Sequence, residues 1–217
     1  MKKAIHTFLP FLGLILAFII FPSHSNASTV NADVYGNTLQ ENSLTATASG
    51  SNYPNGVAVE AGDMLFGDKS FSTGMVGHVG IVGPDMKVYH STPATSNGRA
   101  IDTIPQFISR FGKDTLVVYR FNANLQGPFP QRLQAAQWAK NNINRITSYT
   151  IGSLHLGTVE SNYCSKFVWQ AYFIGAGVNI ERPIRADNYH NTNSYELLPP
   201  SALIVTKMKQ ITKFSAS

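Results

Sequence analysis

Residues 161–171 read SNYCSKFVWQA and hold the only cysteine of the 217-residue chain, Cys164. Phe167, Val168, Ala171 and Ile174 recur at helical spacing, and Gly175 and Gly177 supply a stop. Ser161 is placed to act as an N-cap, which puts Cys164 in a first helical turn. Unpaired backbone N–H groups and the helix dipole favour negative charge there, so this placement predicts a thiol of lowered pKa. A buried helix carrying an inert cysteine has the same pattern, because free cysteine is among the most buried residue types. The rest of the chain has to separate the two readings.

Compartment is the first separator. Lys2 and Lys3 precede an apolar run over residues 8–21, and Ser25 and Ala27 in SHSNA form a small-residue cleavage pattern. Residues 1–27 therefore read as a secretory signal peptide. The run is interrupted by Pro10 and Gly13 and falls short of the ~20 residues that span a bilayer, so no stable transmembrane span is expected once it is removed. A secreted chain pairs its cysteines, and a single one points to a reactive thiol or an intermolecular bridge. Without Lys2 and Lys3 there are 15 basic against 12 acidic residues, a formal charge of +3. That excess is scattered and carries no nucleic-acid motif, which leaves weak attraction to an anionic envelope or ordinary surface charge.

Residues 28–56 are rich in Ser, Thr, Asn, Ala and Gly and read as a flexible leader, with the domain over residues 57–217. A short strand at residues 64–66 follows the Gly62–Asp63 turn. GHVGIV (77–82) and KVYHS (87–91) flank Gly83, Pro84 and Asp85 and mark a β-hairpin. Residues 92–100 read as a polar loop, 105–111 as a short helix, 115–121 as a buried strand and 130–144 as a longer helix. Residues 149–160 read as a loop and 204–214 as a last strand. The fold class is α+β, an antiparallel sheet packed against the cysteine-bearing helix.

The hairpin carries His78 and His90. A three-residue turn pairs Val82 with Met86 and sets His78 opposite His90, with Cβ atoms roughly 5 Å apart, whereas a two-residue turn sends His90 to the other face. Cysteine catalysis needs a base beside the thiol and a third polar group to orient that base. Cys164, His78 and His90 are the residue types for those roles, with backbone N–H groups of the cysteine helix as oxyanion donors. Two histidines and a cysteine are also zinc ligands, but no CxxC or HExxH spacing accompanies them, and no metal or other cofactor is expected. His155 and His190 lie in polar stretches and read as solvated. Glu160 reads as a dipole partner, and Tyr149 and Tyr163 as possible groove-lining residues beside an aromatic core.

GDMLF, then GHVGIV with a histidine twelve residues on in VYHS, then YCSKFVWQAY resemble the permuted, YiiX-like branch of the NlpC-type papain-like cysteine hydrolases. In the ordinary branch the cysteine helix precedes the histidine strands, and here it follows them. The resemblance covers residues 57–217, including the short helix and the strand ending YRF. It implies a permuted papain-like fold, with Cys164 as nucleophile, His78 as base and His90 as third polar residue. The function expected is a secreted, possibly envelope-associated, peptidase or amidase acting on a peptide or cell-envelope substrate. The alternatives are a lipid acyl hydrolase or acyltransferase and a non-catalytic envelope-binding module.

Overall fold

A computed structural model describes residues 51–67, 77–122, 131–152, 155–182, 189–205 and 207–216, all within one compact unit. The expected signal peptide and residues 28–50 of the leader lie outside the described residues. Order is already present at residues 51–56: Tyr53 is buried, and Asn52 bridges Ala58. The Tyr53 hydroxyl donates to Asp63, which a bidentate Arg120 also binds, so this tyrosine is fixed at its polar end as well as by packing.

The strands are β1 (Met64–Gly67), β2 (His78–Val82), β3 (Val88–Ser91), β4 (Arg99–Asp102) and β5 (Thr115–Phe121). Helix α1 (Ile104–Ser109) lies between β4 and β5. There follow α2 (Gln131–Asn142), the two short strands β6 (Ser148–Tyr149) and β7 (Ser161–Asn162), α3 (Cys164–Ala176) and β8 (Met208–Ser215). Six strands form one antiparallel sheet in the order β4-β3-β2-β1-β5-β8, and β6 pairs with β7 in parallel. Among the described residues no helix is long and apolar enough to cross a membrane.

Alternation along the strands gives each face of the sheet its own core. Met64, Phe66, Val79, Ile81 and Tyr89 face one way and pack with Phe167, Val168, Trp169, Ala171 and Tyr172 of α3 and with Ala135 and Ala139 of α2. Leu65, Val82, Val88, Leu116 and Val118 face the other way, against Ile104, Phe107, Ile108 and Phe111. The cysteine-bearing helix thus packs on the sheet through Phe167, Val168 and Ala171 as their spacing predicts, while Ile174, expected on the same face, is exposed. Helix α3 ends at Gly177, whose φ of 66° is the left-handed C-cap that glycine adopts without a Cβ penalty.

Three local features depart from the sequence reading. Residues 99–102 form strand β4, of which residues 99 and 100 were expected in a polar loop and residues 101 and 102 in no element. They return antiparallel to β3 after a turn at Gly98, whose φ is 74°. Ser161 is not the N-cap of α3: Ser161 and Asn162 pair with β6, Tyr163 is the cap residue and makes no side-chain cap bond, and Cys164 is the first helical residue. The hairpin turn spans five residues, 83–87, so Val82 pairs with Val88 and Ile81 with Tyr89. The Gly83 N–H donates to the Lys87 carbonyl, and Met86 takes a φ of 58° inside that turn. Continuing this register sets His90 across from Gly80 and not from His78. The shift is two residues, so both histidines keep the same face.

Candidate active site

The two-residue stagger places the imidazoles on a cross-strand diagonal. His78 Nε2 and His90 Nδ1 lie 2.9 Å apart, within a hydrogen bond. Gly80 makes this possible, because a Cβ there would stand 2.6 Å from a Val88 methyl carbon and 3.0 Å from the Phe107 ring. The same stagger recurs one strand further on. Val88 pairs with Asp102 and His90 with Ala100, and along that diagonal His90 Nε2 reaches Asp102 Oδ2 at 2.8 Å. Residues 78, 90 and 102, twelve apart in sequence, thus form a line across three strands. Arg110, the C-cap residue of α1, closes the line with Nε to Oδ2 at 2.6 Å and Nη2 to Oδ1 at 3.0 Å.

Phe107 and Phe111 hold the two rings in place. His78 stacks on Phe107 with centroids 5.9 Å apart, and His90 meets Phe107 edge-on at 5.0 Å. The helix that brings Phe107 there is fixed at its start by a capping box between Thr103 and Gln106. Both histidines are buried. Burial, with His90 and Arg110 adding to it and Asp102 opposing, pushes His78 well below the usual imidazole range. Burial also lowers His90, against the pull of Asp102. Burial would raise Asp102, but the hydrogen bonds from His90 and Arg110 outweigh it and hold the carboxyl below its ordinary range. His78 Nδ1 is buried and has no hydrogen-bond partner among the described residues. Most buried polar atoms are paired, so this bare nitrogen calls for an explanation.

Cys164 approaches from the other core. Strand β2 stays paired with β1 through His78, while its pairing with β3 ends at Ile81. The Val82 N–H donates to Asp63, on the β1 side, so by alternation the Val79 N–H points toward β3, past the end of that ladder. There it acts on the Cys164 sulfur, favouring its thiolate form against burial. The Ser165 N–H and Tyr149 lie close enough to act on the sulfur in the same sense, while the Ser165 hydroxyl donates to the Leu198 carbonyl. Tyr149 reaches the sulfur because β6 pairs with β7, Tyr149 against Asn162, just before the helix begins. Tyr163 is buried and its hydroxyl accepts from the Leu198 N–H, which leaves it a packing role.

The lowered thiol pKa expected from the helix N-terminus is not found. Cys164 is buried, and desolvation pushes its pKa up despite the opposing donors from Val79, Ser165 and Tyr149. The resting group is a neutral thiol. No hydrogen bond joins Cys164 to either imidazole among the described residues. The histidines meet each other directly, and the sulfur meets the backbone one residue beyond His78.

The fold agrees with the comparisons. Residues 58–209 match the family model described as permuted papain-like amidase enzyme, YaeF/YiiX, C92 family. The chain belongs to that family. Membership makes it a papain-like cysteine hydrolase of broad amidase type, with the cysteine helix after the histidine strands as the permutation requires. A crystal structure of a protein described as metalloprotein YiiX, from Escherichia coli O157:H7, aligns over 71% of this chain and 97% of that one, with 19% identity and a TM-score of 0.51. At that identity the likeness bears on the fold alone. No curated protein matches the chain. Among the described residues of this family member, no three His, Cys, Asp or Glu side chains are grouped to hold a metal ion.

The other two histidines of the domain differ from their sequence reading in different ways. His155 is half-buried and packs edge-on against Tyr195. His190 is buried, with Nδ1 at 2.9 Å from Glu181 and Nε2 at 2.9 Å from Glu196. Glu160 pairs with Arg145 on the surface. Asp102 and Arg110 are absent from the sequence reading because it places no strand over residues 99–102. The available signal was the Ser-Asn-Gly turn at residues 96–98, since RAID itself does not alternate, and with that strand in place Asp102 falls on the histidine face.

Proposed function

We propose that this chain is an exported cysteine amidase that cleaves amide bonds of cell-envelope peptides through an acyl-enzyme on Cys164. The observation that carries the reading is His78 Nδ1, buried and without a partner among the described residues, one residue from the Val79 N–H that acts on the sulfur. A base has to offer a lone pair near the thiol it serves, and its hydrogen bond commonly tightens only when substrate is bound.

In this mechanism His78 Nδ1 takes the Cys164 proton as the sulfur adds to the amide carbonyl. The S–H bond breaks, an N–H bond forms on His78 and a C–S bond forms at the carbonyl carbon. The oxyanion is received by the Cys164 N–H at the start of α3 and by the Tyr149 hydroxyl. His78 then gives its proton to the leaving amine, and water, deprotonated by the same nitrogen, releases the acid and regenerates the thiol. His90 holds His78 through the 2.9 Å contact. The neutral thiol and the neutral imidazole suit proton transfer during attack better than a preformed ion pair.

Export is supported by the basic, apolar and small-residue segments of residues 1–27, and an envelope substrate by export together with the family's amidase chemistry. The test is incubation of the full chain with purified peptidoglycan and, separately, with phospholipid vesicles, followed by mass spectrometry. New amino termini from peptidoglycan, absent with Cys164→Ala, are the expected result. Fatty acid released from the vesicles, with peptidoglycan untouched, would replace the reading with lipid acyl hydrolysis. Binding to wall material without turnover, unchanged in Cys164→Ala, would replace it with a binding module. Sequencing the exported protein's N-terminus should find Ser28.

A further inference from the structure

We propose that Asp102, clamped by Arg110, fixes the direction of every hydrogen bond along the 78–90–102 diagonal and thereby leaves the lone pair on His78 Nδ1. The inference rests on His78 being the base and adds two positioning residues to it.

The bond directions are set from the charged end inward. Arg110 donates to both oxygens of Asp102, at 2.6 and 3.0 Å, and a guanidinium has only donors to offer. A carboxyl receiving that fork is ionised and can only accept. His90 Nε2, at 2.8 Å from Oδ2, must therefore carry the proton of that bond. A neutral imidazole has one N–H, so His90 Nδ1 is an acceptor. His78 Nε2, at 2.9 Å, must then donate to it. The same rule leaves His78 Nδ1 without a proton, and this is the buried nitrogen that has no partner. A single acceptor at one end thus decides which atom is basic two strands away.

The neutrality of both rings follows from their surroundings. They are enclosed by Phe107, Phe111, Gly80 and Val88, with Arg110 as the nearby cation, and burial disfavours a second proton on either ring. When His78 does accept the thiol proton, its positive charge faces a line of hydrogen bonds that ends on a carboxylate. Arg110 comes from α1, whose capping box fixes the helix start immediately after Asp102, so the clamp and the carboxylate are set by one local unit.

The experiment is nitrogen NMR of histidine-labelled full chain, wild type and Asp102→Ala, near neutral pH, alongside turnover of purified peptidoglycan. In the wild type the Nδ1 atoms of His78 and His90 should both resonate as unprotonated nitrogens and the Nε2 atoms as protonated ones. In Asp102→Ala the His78 proton should move in part to Nδ1, and kcat should fall at least about 100-fold with KM little changed, the loss of a general base in its working tautomer. Arg110→Ala should give a smaller effect of the same kind. Unchanged tautomers in Asp102→Ala overturn the proposal, and so does a protonated His78 Nδ1 in the wild type, a result that does not depend on the variant folding. Turnover surviving in Cys164→Ala would instead remove Cys164 as the nucleophile and leave the tautomer result standing.

Discussion

Two buried histidine clusters lie in this domain, and they differ in one nitrogen. His190 is held at both ring atoms, by Glu181 and Glu196, each at 2.9 Å, and its backbone N–H also donates to Glu181. His78 is held at Nε2 alone, and its Nδ1 is bare. A ring with both nitrogens occupied is a cross-link: it ties the stretch after α3 to residues 189–196. A ring with one free nitrogen is held still and left able to accept a proton. Carboxylates serve both clusters, so having an acid nearby does not make a histidine a base. What matters is whether the acid touches the ring directly on both sides or acts from one end of a chain.

The comparison breaks most plainly on activity. His78→Ala should lower kcat by about 100- to 10,000-fold, the contribution of a general base, while His190→Ala should leave kcat in its surviving fold near wild type. Equal losses from the two variants would erase the distinction. Stability should divide them the other way. His190→Ala leaves Glu181, whose side chain is wholly buried, without its ring partner, and chemical denaturation should show a loss of about 3–5 kcal/mol. His78→Ala removes a ring that packs on Phe107 and should cost less.

Acid sharpens the contrast further. His78 and His90 have folded pKa values below the unfolded value of ~6.5, so below that pH the unfolded chain takes up protons that the native rings refuse. Stability is then lost as pH falls from about 6.5 toward the folded values, by up to about 1.4 kcal/mol per pH unit for each ring. Urea titrations at pH 7 and pH 5.5 should show this loss, reduced in His90→Ala. Asp102 works in a lower window: its depressed carboxyl contributes stability above its unfolded value of ~3.9, and that is lost only as pH falls further, toward its folded value. By the same logic kcat/KM should hold down to well below pH 6.5, because the base stays unprotonated there. The smallest effect is on the free enzyme's thiol. Iodoacetamide should label Cys164 with a midpoint above the ordinary ~8.5, since burial outweighs its donors. A midpoint below that value would restore the preformed thiolate that the helix start alone suggests.

How much of this was legible depended on the range of the signal. The cysteine helix, the strand at residues 115–121 and the histidine hairpin follow from periodicity and turn residues, which are local. That His78 and His90 share a face was also within reach, because a two-residue error in register leaves the face unchanged. The turn length was not, since Met86 takes a left-handed conformation with no glycine to announce it. The thiol pKa was misjudged because the helix dipole can be read from sequence and burial cannot. Cys164 is enclosed by Val79, far away in the chain, and by Tyr149, brought there by the unforeseen β6–β7 pairing, besides its own neighbour Tyr163. Asp102 and Arg110 were hidden by the missing strand β4, not by any weakness of their chemistry.

The five-residue turn between β2 and β3 has a consequence for how this domain tolerates change in chain length. One residue added to or removed from residues 83–87 would turn His90 to the α3 side of the sheet and part it from both of its neighbours at once. Two residues would keep its side but slide it along the strand, away from the space above Gly80. Loops are ordinarily where a protein absorbs insertions most freely, yet here a surface bend far from the sulfur sets the spacing of the whole proton line.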